Sequence, residues 1–346
     1  LVLRTGIDVM KWAFLGIGRV THRMVEAVRA AGHEVAVGAG RDPSKLQDWQ
    51  DRFGVPDGTT DFYEAIDRSD VDAVYVAFPP SMHSHWAIAA LRAGKKVLCE
   101  KALAIGPEEA DEILAVVKET GNVLVDATAF PHHPRSAQMR AVIDGGELGE
   151  ICRVSVACSV GGILERQDHR SSSAMGGGCL LDLGWYCVYS TAWLTGFEID
   201  TVLSDGTRVT DSRESAWYQV QSIARLKRSK LAALASRESV AHRSLIASWD
   251  CGYEATGRKW IEIAGTKASL ICDDFLRPWD IEKPRFWVHG FDGKARAELG
   301  GVGVFQESEL VKHVASVGLQ KSIEDLELAV TVQRSLAAIE GSLDRV

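Results

Sequence analysis

The 346-residue chain has no apolar run long enough to cross a bilayer, so a membrane-spanning role is not expected. It also has no dense block of Lys and Arg. With 39 basic against 47 acidic residues and a net charge of −8, it offers no footprint for a phosphate backbone, and nucleic acid is not an expected partner. Cysteine never occurs as Cys-x-x-Cys. The seven thiols (Cys99, Cys152, Cys158, Cys179, Cys187, Cys251 and Cys272) are odd in number and sit mostly among apolar neighbours. That argues against zinc and disulfides, and suits reduced thiols in a cytoplasmic protein with no metal site. There is no internal repeat, no low-complexity stretch and no Ser-His-Asp or phosphotransfer pattern. Residues 1–10 lack the basic start, apolar core and cleavage site of a signal peptide, and read as an extension before the first strand. What remains is ordinary globular composition, 46% hydrophobic and 25% charged, in a chain long enough for two domains.

The first third alternates strand-like runs (Lys11–Leu15, Glu34–Val37, Ala73–Ala77, Lys96–Cys99, Val123–Asp126) with helical patterns (Arg19–Ala31, Pro43–Phe53, Met82–Ala93, Pro107–Thr120). Strand–helix alternation with short connections predicts a parallel sheet covered on both faces. Past about residue 130 the rhythm changes. A helix near Pro134–Gly145 leads into an alternating strand, Ile151–Ser159, and a Gly-rich turn precedes a helix over Cys179–Leu194. Strand-like runs follow at Thr201–Val209, Trp217–Leu226, Leu231–Ser236, Lys259–Ala264 and Ser269–Cys272 without long crossovers, which favours an antiparallel or mixed sheet. A helix over Ser322–Gly341 closes the chain. The expected class is α/β: a doubly wound N-terminal domain over 11–130, and an α/β domain over 131–346 whose last helix packs back on the first.

The segment Leu15-Gly16-Ile17-Gly18-Arg19-Val20-Thr21 ends a strand with glycines and enters a helix. Gly16 suits the tight turn, and Gly18 lets backbone reach a pyrophosphate at the positive helix N-terminus, beside Arg19 and Val20. Thr21 stands where the fingerprint has Gly or Ala, which crowds the helix–strand contact. At the end of the second strand an NAD site usually places an acid; this chain reads Ala39-Gly40-Arg41-Asp42, so Arg41 favours NADP(H) over NAD(H). The alternative is a surface arginine pairing with Asp42 or capping the next helix.

Two further segments carry candidate chemistry. In Val97-Leu98-Cys99-Glu100-Lys101-Ala102 a buried strand runs into Glu100 and Lys101, where the carboxyl end of a doubly wound sheet forms the ligand crevice. Taken alone, such a lysine is more often a solvated loop residue. In Gly176-Gly177-Gly178-Cys179-Leu180-Leu181-Asp182-Leu183-Gly184-Trp185-Tyr186, Asp182 and Tyr186 are four apart on a helix and share a face. The preceding glycines would admit cofactor or substrate closely. The plainer reading is a buried helix whose Asp accepts backbone donors and whose Tyr packs.

Together these pieces resemble the glucose–fructose oxidoreductase, inositol dehydrogenase and rhizopine-catabolism (Gfo/Idh/MocA) family. The resemblance rests on Gly16–Thr21, Val71–Pro80 with His83, Ala93–Lys101, Leu148–Glu150, Gly176–Tyr186 and Glu262–Lys267. It implies a Rossmann domain plus an α/β domain with an open, mostly antiparallel sheet. The implied activity is NAD(P)-dependent oxidation or reduction of a carbinol or carbonyl on a sugar, polyol or related cyclic alcohol. Catalysis would fall to Lys101, Asp182 and Tyr186, the last as in the branch with dihydrodiol and xylose dehydrogenases and sugar ketoreductases. Cofactor contacts would come from Gly16, Gly18, Arg19, Val20, Arg41, Phe78, Pro79, His83, Glu100 and Lys101. A homodimer or homotetramer through the C-terminal sheet is implied as well. Some relatives only sense dinucleotides or sugars, and others recycle a permanently bound cofactor; both remain alternatives. Ala102 replaces the family's proline, and Phe78 stands where a small residue or threonine is usual.

On this reading Tyr186 exchanges the substrate oxygen's proton, and Lys101 supplies the charge that an ordinary tyrosine, with a pKa of about 10, needs near neutral pH. His132, His133, Arg170 and Asp182 are candidate substrate contacts, Asp182 orienting Lys101 or a substrate hydroxyl, while Trp217, Trp249, Trp260 and Trp279 would cover the second sheet or an interface.

Overall fold

The computed structural model describes residues 9–162, 168–210, 215–228 and 245–343. The strand expected at Leu231–Ser236 lies outside them, as does most of the N-terminal extension. Six parallel strands form the first sheet: β1 (Lys11–Leu15), β2 (Glu34–Ala39), β3 (Asp57–Thr59), β4 (Ala73–Val76), β5 (Lys96–Cys99) and β6 (Leu124–Asp126), in the order β3-β2-β1-β4-β5-β6. The order reverses between β1 and β4, the switch point that opens a crevice at the strands' carboxyl ends.

Period-2 alternation along β1 divides the core. Trp12 and Phe14 pack on one face with Tyr75 and Leu98, while Ala13 and Leu15 pack on the other with Val74 and Val97. Helices α1 (Arg19–Ala30), α2 (Pro43–Phe53), α3 (Phe62–Asp67), α4 (His83–Arg92) and α5 (Pro107–Thr120) cover the two faces. The start of α2 is set by Pro43 in its first turn and by Asp42, whose carboxylate accepts from Ser44 N at 3.0 Å and Lys45 N at 3.2 Å. Its end is set by Gly54 at φ 58°.

After α6 (Pro134–Asp144) comes an eight-stranded sheet: β7 (Ile151–Ser159), β8 (Phe197–Arg208), β9 (Trp217–Arg228), β10 (Leu245–Gly252), β11 (Arg258–Gly265), β12 (Ala268–Cys272), β13 (Arg285–Gly290) and β14 (Ala295–Leu299). Its order is β14-β13-β12-β11-β7-β10-β9-β8, antiparallel except for the β7–β10 pair. Helix α7 (Trp185–Thr195) packs on its inner face, where Trp249 Nε1 donates to Thr191 Oγ1 at 3.0 Å. Trp249 and Trp217 are buried on that inner face; Trp279 is exposed and Trp260 half-buried.

The last two helices, α8 (Gln306–Ser316) and α9 (Leu319–Leu343), return to the first sheet. Leu310, Val311 and Val314 of α8 join the cluster around Trp12. Ser322 of α9 binds Leu124 on β6 both ways, donating to its carbonyl at 2.7 Å and accepting from its N–H at 3.1 Å. Lys96 at the start of β5 donates to the carbonyls of Val314 and Ala315 at 3.2 and 2.7 Å, a cation at the negative end of α8.

One buried ion pair fixes the connection after β12. Arg135 of α6 pairs with Asp274, both side chains almost fully enclosed, and also donates to the carbonyls of Asp274 (3.0 Å), Phe275 (3.4 Å) and Arg285 (3.3 Å). Asp274 in turn accepts from Trp279 N at 2.7 Å, so the loop from Asp274 to Trp279 is tied at both ends. Among the described residues no helix is long and apolar enough to cross a membrane, and no cluster of three or more His, Cys, Asp or Glu could hold a metal.

Candidate active site

Gly16, Phe78 and Lys101 follow β1, β4 and β5 at the same carboxyl edge of the parallel sheet. Gly16 has φ +95°, and a Cβ there would lie 2.6 Å from the Ala77 carbonyl oxygen, so both the conformation and the contact demand glycine. A Cβ on Gly18 would meet nothing within 4 Å: the space before α1 is open, and no side chain caps the helix. Its first-turn N–H groups can therefore receive a pyrophosphate, with Arg19 and Val20 exposed beside them. Thr21 does not merely crowd the helix–strand contact. Its hydroxyl donates to Gly18 O at 2.6 Å and accepts from Trp49 Nε1 at 2.9 Å, and it is fully buried.

Arg41 is exposed at the end of β2, while its neighbour Asp42 is engaged as the N-cap of α2. Phe78 stacks edge-on against Phe62 at 5.0 Å and lies near Trp86 at 5.9 Å, and Pro79 begins the turn into α4. His83 is buried between the carbonyls of Phe78 (2.7 Å) and Ala102 (2.8 Å). Burial holds its imidazole well below the ordinary value, at about 4, so the neutral ring donates to one of the two through its single N–H and is walled off from the cleft.

The cleft has a volume of about 910 Å³ and runs from Arg19 and Val20 on α1 to Lys101, Asp182 and Tyr186. The Lys101–Ala102 peptide is cis. Lys101 Nζ donates to Asp182 Oδ1 at 2.7 Å and to the Asp182 carbonyl at 2.8 Å, and lies 4.9 Å from the centre of the Tyr186 ring. The helix expected over Cys179–Leu194 opens with a π-helical turn, Leu180–Gly184, and it is from this turn that the Asp182 carbonyl meets Lys101. Behind Lys101, Glu100 accepts from Tyr75 Oη at 2.5 Å and from Lys101 N at 3.2 Å.

Asp182 is a hub. Its Oδ2 accepts from Arg170 Nε at 2.9 Å and from Tyr253 Oη at 3.0 Å, while Lys101 holds Oδ1. Burial alone would favour the neutral acid, but Lys101 and Arg170 outweigh it and keep the carboxyl well below its usual range. Burial likewise opposes the Lys101 charge, and Asp182, Tyr186 and Glu100 together hold its ammonium above the ordinary value. Tyr186 is not lowered as the sequence suggested. Burial pushes its phenol up to about 12; Lys101 pulls the other way but is outweighed, with Glu100 and Asp182 adding to the rise.

Three expectations are corrected here. The triple glycine admits the chain's own backbone: Cβ atoms on Gly177 would lie 2.4 Å from His169 O and 2.6 Å from Arg170 O, and Gly178 N donates to Arg170 O at 2.8 Å. That packing is what delivers Arg170 to Asp182 and Asp168. His132 and His133 do not line the cleft. His132 stacks on His313 at 4.8 Å, its pKa lowered by burial to about 3, and His133 accepts from Arg135 N at 3.1 Å as the cap of α6, its own pKa lowered by burial to about 4. Residues that sequence reasoning missed (Tyr253, Lys259, Arg277, Gln306 and Glu307) come from β11, the start of α8 and the loops after β10 and β12, and complete the wall.

With the geometry established, comparison with known proteins decides the family. The oxidoreductase family with the NAD-binding Rossmann fold matches residues 10–128, and the Gfo/Idh/MocA C-terminal domain matches residues 136–271. The chain belongs to the Gfo/Idh/MocA family.

Within that family it is similar to dTDP-3,4-didehydro-2,6-dideoxy-α-D-glucose 3-reductase of Actinomadura kijaniata, 34% identical over 169 residues, or 49% of this chain and 50% of the relative. In sequence the chain thus spans about half the length of the curated relatives it matches. In fold the likeness to solved structures covers nearly the whole chain. A 3-ketoreductase from Actinomadura kijaniata in complex with NADP and TDP-benzene superposes with a TM-score of 0.82 at 23% identity, covering 97% of this chain and 98% of that one. A levoglucosan dehydrogenase in complex with NADH and levoglucosan superposes at 0.80 and 19%, covering 98% of both.

Proposed function

We propose that this chain is an enzyme that transfers a hydride between a nicotinamide and a carbinol or carbonyl carbon of a sugar, polyol or related cyclic alcohol. The observation that carries this reading is the Lys101–Asp182–Tyr186 cluster, set in one cleft with the open N-terminus of α1. A bound nicotinamide supplies or accepts the hydride. The protein's part is to manage the charge on the substrate oxygen. In reduction, Tyr186, protonated at neutral pH, gives its proton to that oxygen as negative charge grows. Two of the three Lys101 N–H bonds go to Asp182, which leaves one to stabilise the same oxygen. Arg170 and Tyr253 hold Asp182 in place.

Tyr186→Phe tests this directly. It is expected to lower kcat for carbonyl reduction by about 10²–10³-fold with cofactor affinity unchanged, read by nicotinamide absorbance under single-turnover conditions. Because the donor phenol stays protonated up to about 12, the reduction rate of the unsubstituted chain should not fall as pH rises through neutrality. Near-normal turnover by the Phe variant would remove Tyr186 as the acid.

We favour NADP(H) as the cofactor. At the end of β2 the chain offers Gly40 and Arg41, and the adjacent carboxylate of Asp42 is already engaged by the backbone of α2. Arg41→Ala is expected to weaken NADP(H) binding about tenfold and leave NAD(H) binding unchanged by calorimetry; equal effects on both would refute the assignment. The remaining cofactor contacts assigned to Gly16, Gly18, Arg19, Val20, Phe78, Pro79, Glu100 and Lys101 are part of the same proposal, as is a division into 11–130 and 131–346; His83, enclosed behind the Phe78 and Ala102 loops, is not among them. We assign a homodimer or homotetramer through the outer face of the eight-stranded sheet, where Leu203 (80% exposed), Ile223 (62%) and Ile246 (39%) lie together. A cytoplasmic location is supported by buried free thiols, including Cys179 and Cys251, whose sulfurs are 3.9 Å apart.

A further inference from the structure

The cleft has a second charged region that the hydride-transfer chemistry leaves unused. On its wall Arg23 of α1 and Arg277 of the loop after β12 both pair with one carboxylate, Glu307 at the start of α8, Arg23 at 3.0 Å. Lys259 of β11 stands in the same wall. Its ammonium lies 4.0 Å from the centre of the Trp279 ring, and among the described residues it has no carboxylate within ion-pair reach. Three cations thus face one carboxylate, an excess of two positive charges, in a chain whose net charge is −8. Burial lowers the Lys259 pKa, and the positive charges of Arg277 and Arg23 lower it further, the response of a cation crowded by others.

Two acceptors in the same wall are also unsatisfied. Gln306 and Glu307 are each only 4% exposed. Gln306 Nε2 donates to Leu276 O at 2.9 Å, which fixes the amide, yet its Oε1 has no partner, and neither has Glu307 Oε2. Arg23 Nε and Arg277 Nε also lack hydrogen-bond partners, so the wall carries unmet donors as well as unmet acceptors. The loop that presents Arg277 is itself tied down by Asp274 and Arg135, so the region is held in place before any ligand arrives. Arg277 and Tyr186 line the same cleft.

We propose that the substrate enters this cleft as a phosphorylated sugar or polyol, with Arg23, Lys259 and Arg277 binding its phosphoryl group. A phosphate ester carries close to two negative charges and matches the excess of two; a neutral sugar matches none of it, and a carboxylate half. Arginine's fork and the lysine's point charge are the usual means of holding such an oxyanion. The inference rests on the hydride-transfer reading for what happens to the ligand, but the subsite can be tested independently of it.

The test is calorimetric titration of inorganic pyrophosphate into the full chain saturated with NADPH, using the unsubstituted protein, Lys259→Ala, Arg277→Ala and the double variant. The expected result is binding in the presence of NADPH, weakened about tenfold by each single variant and more by the double, with sodium acetate giving no comparable heat. If pyrophosphate binds only the NADPH-free protein and NADPH displaces it, the region belongs to the cofactor's own diphosphate and the proposal falls. It falls equally if pyrophosphate does not bind, or binds all four proteins alike. Failure of NADPH itself to bind would count against the hydride-transfer reading alone. The same comparison of pyrophosphate binding in the four cofactor-free proteins would then decide the subsite.

Discussion

Lys101→Met is expected to lower kcat about 10³-fold while leaving the fold near that of the parent. Methionine keeps most of the length and apolar stem of lysine but removes three donors and a charge. The ammonium does two things in the cleft. It holds down the pKa of a phenol that burial otherwise raises, and it has one N–H left for an oxygen that becomes negative only as hydride arrives. Both contributions appear in the transition state more than in the bound substrate, so kcat should fall and KM should move little. The carboxylate left behind is not orphaned, because Arg170 and Tyr253 still donate to Asp182 Oδ2. Thermal unfolding should therefore shift by only a few degrees. A variant that kept activity within tenfold of the parent would remove Lys101 from the mechanism.

Arg135→Ala is expected to destabilise the chain by about 3–5 kcal/mol, measured by urea unfolding, since breaking one partner of an enclosed ion pair strands the other. Arg135 and Asp274 have side chains 0% and 2% exposed, so water cannot take over the lost hydrogen bonds. The carbonyls of Asp274, Phe275 and Arg285 lose a donor at the same time. Replacing both members, as Arg135→Met with Asp274→Ala, should recover part of the loss, because no buried charge is then left unpaired. A cost below about 1 kcal/mol for the single change would mean that the pair is not enclosed as described.

Why some of this was legible and some was not follows from the kind of signal each residue gives. Strands β1, β4 and β5 are short, mostly apolar runs set between helical stretches, so the parallel sheet and its order of elements are evident from the chain. β3 is only Asp57-Gly58-Thr59, three residues with no apolar member, and carries no period to detect. β14 is exposed along most of its length, and α8 opens with the polar run Gln306-Glu307-Ser308-Glu309 ahead of the buried Leu310, Val311 and Val314. In the cleft, Lys101 is announced by the strand it terminates, and Asp182 with Tyr186 by their spacing of four. Tyr253, Arg277 and Glu307 reach the cleft from distant parts of the chain, and no local pattern says which loops will meet. His132 and His133 were misjudged for the same reason: a position just after the last parallel strand does not say which way the side chain turns.

The return of α8 and α9 to the first sheet has a consequence for how the molecule is made. Ser322 completes the hydrogen bonding of Leu124 from 198 positions further along, and α8 supplies the carbonyls that satisfy Lys96 from more than 200 positions away. During synthesis the outermost strand of the nucleotide half and one face of its core stay uncovered until residues 306–343 have left the ribosome. The two halves therefore do not mature in turn. The first waits, with Trp12 and Leu124 unprotected, for the end of the second, and a nascent chain stalled before residue 306 would expose the surface on which aggregation begins.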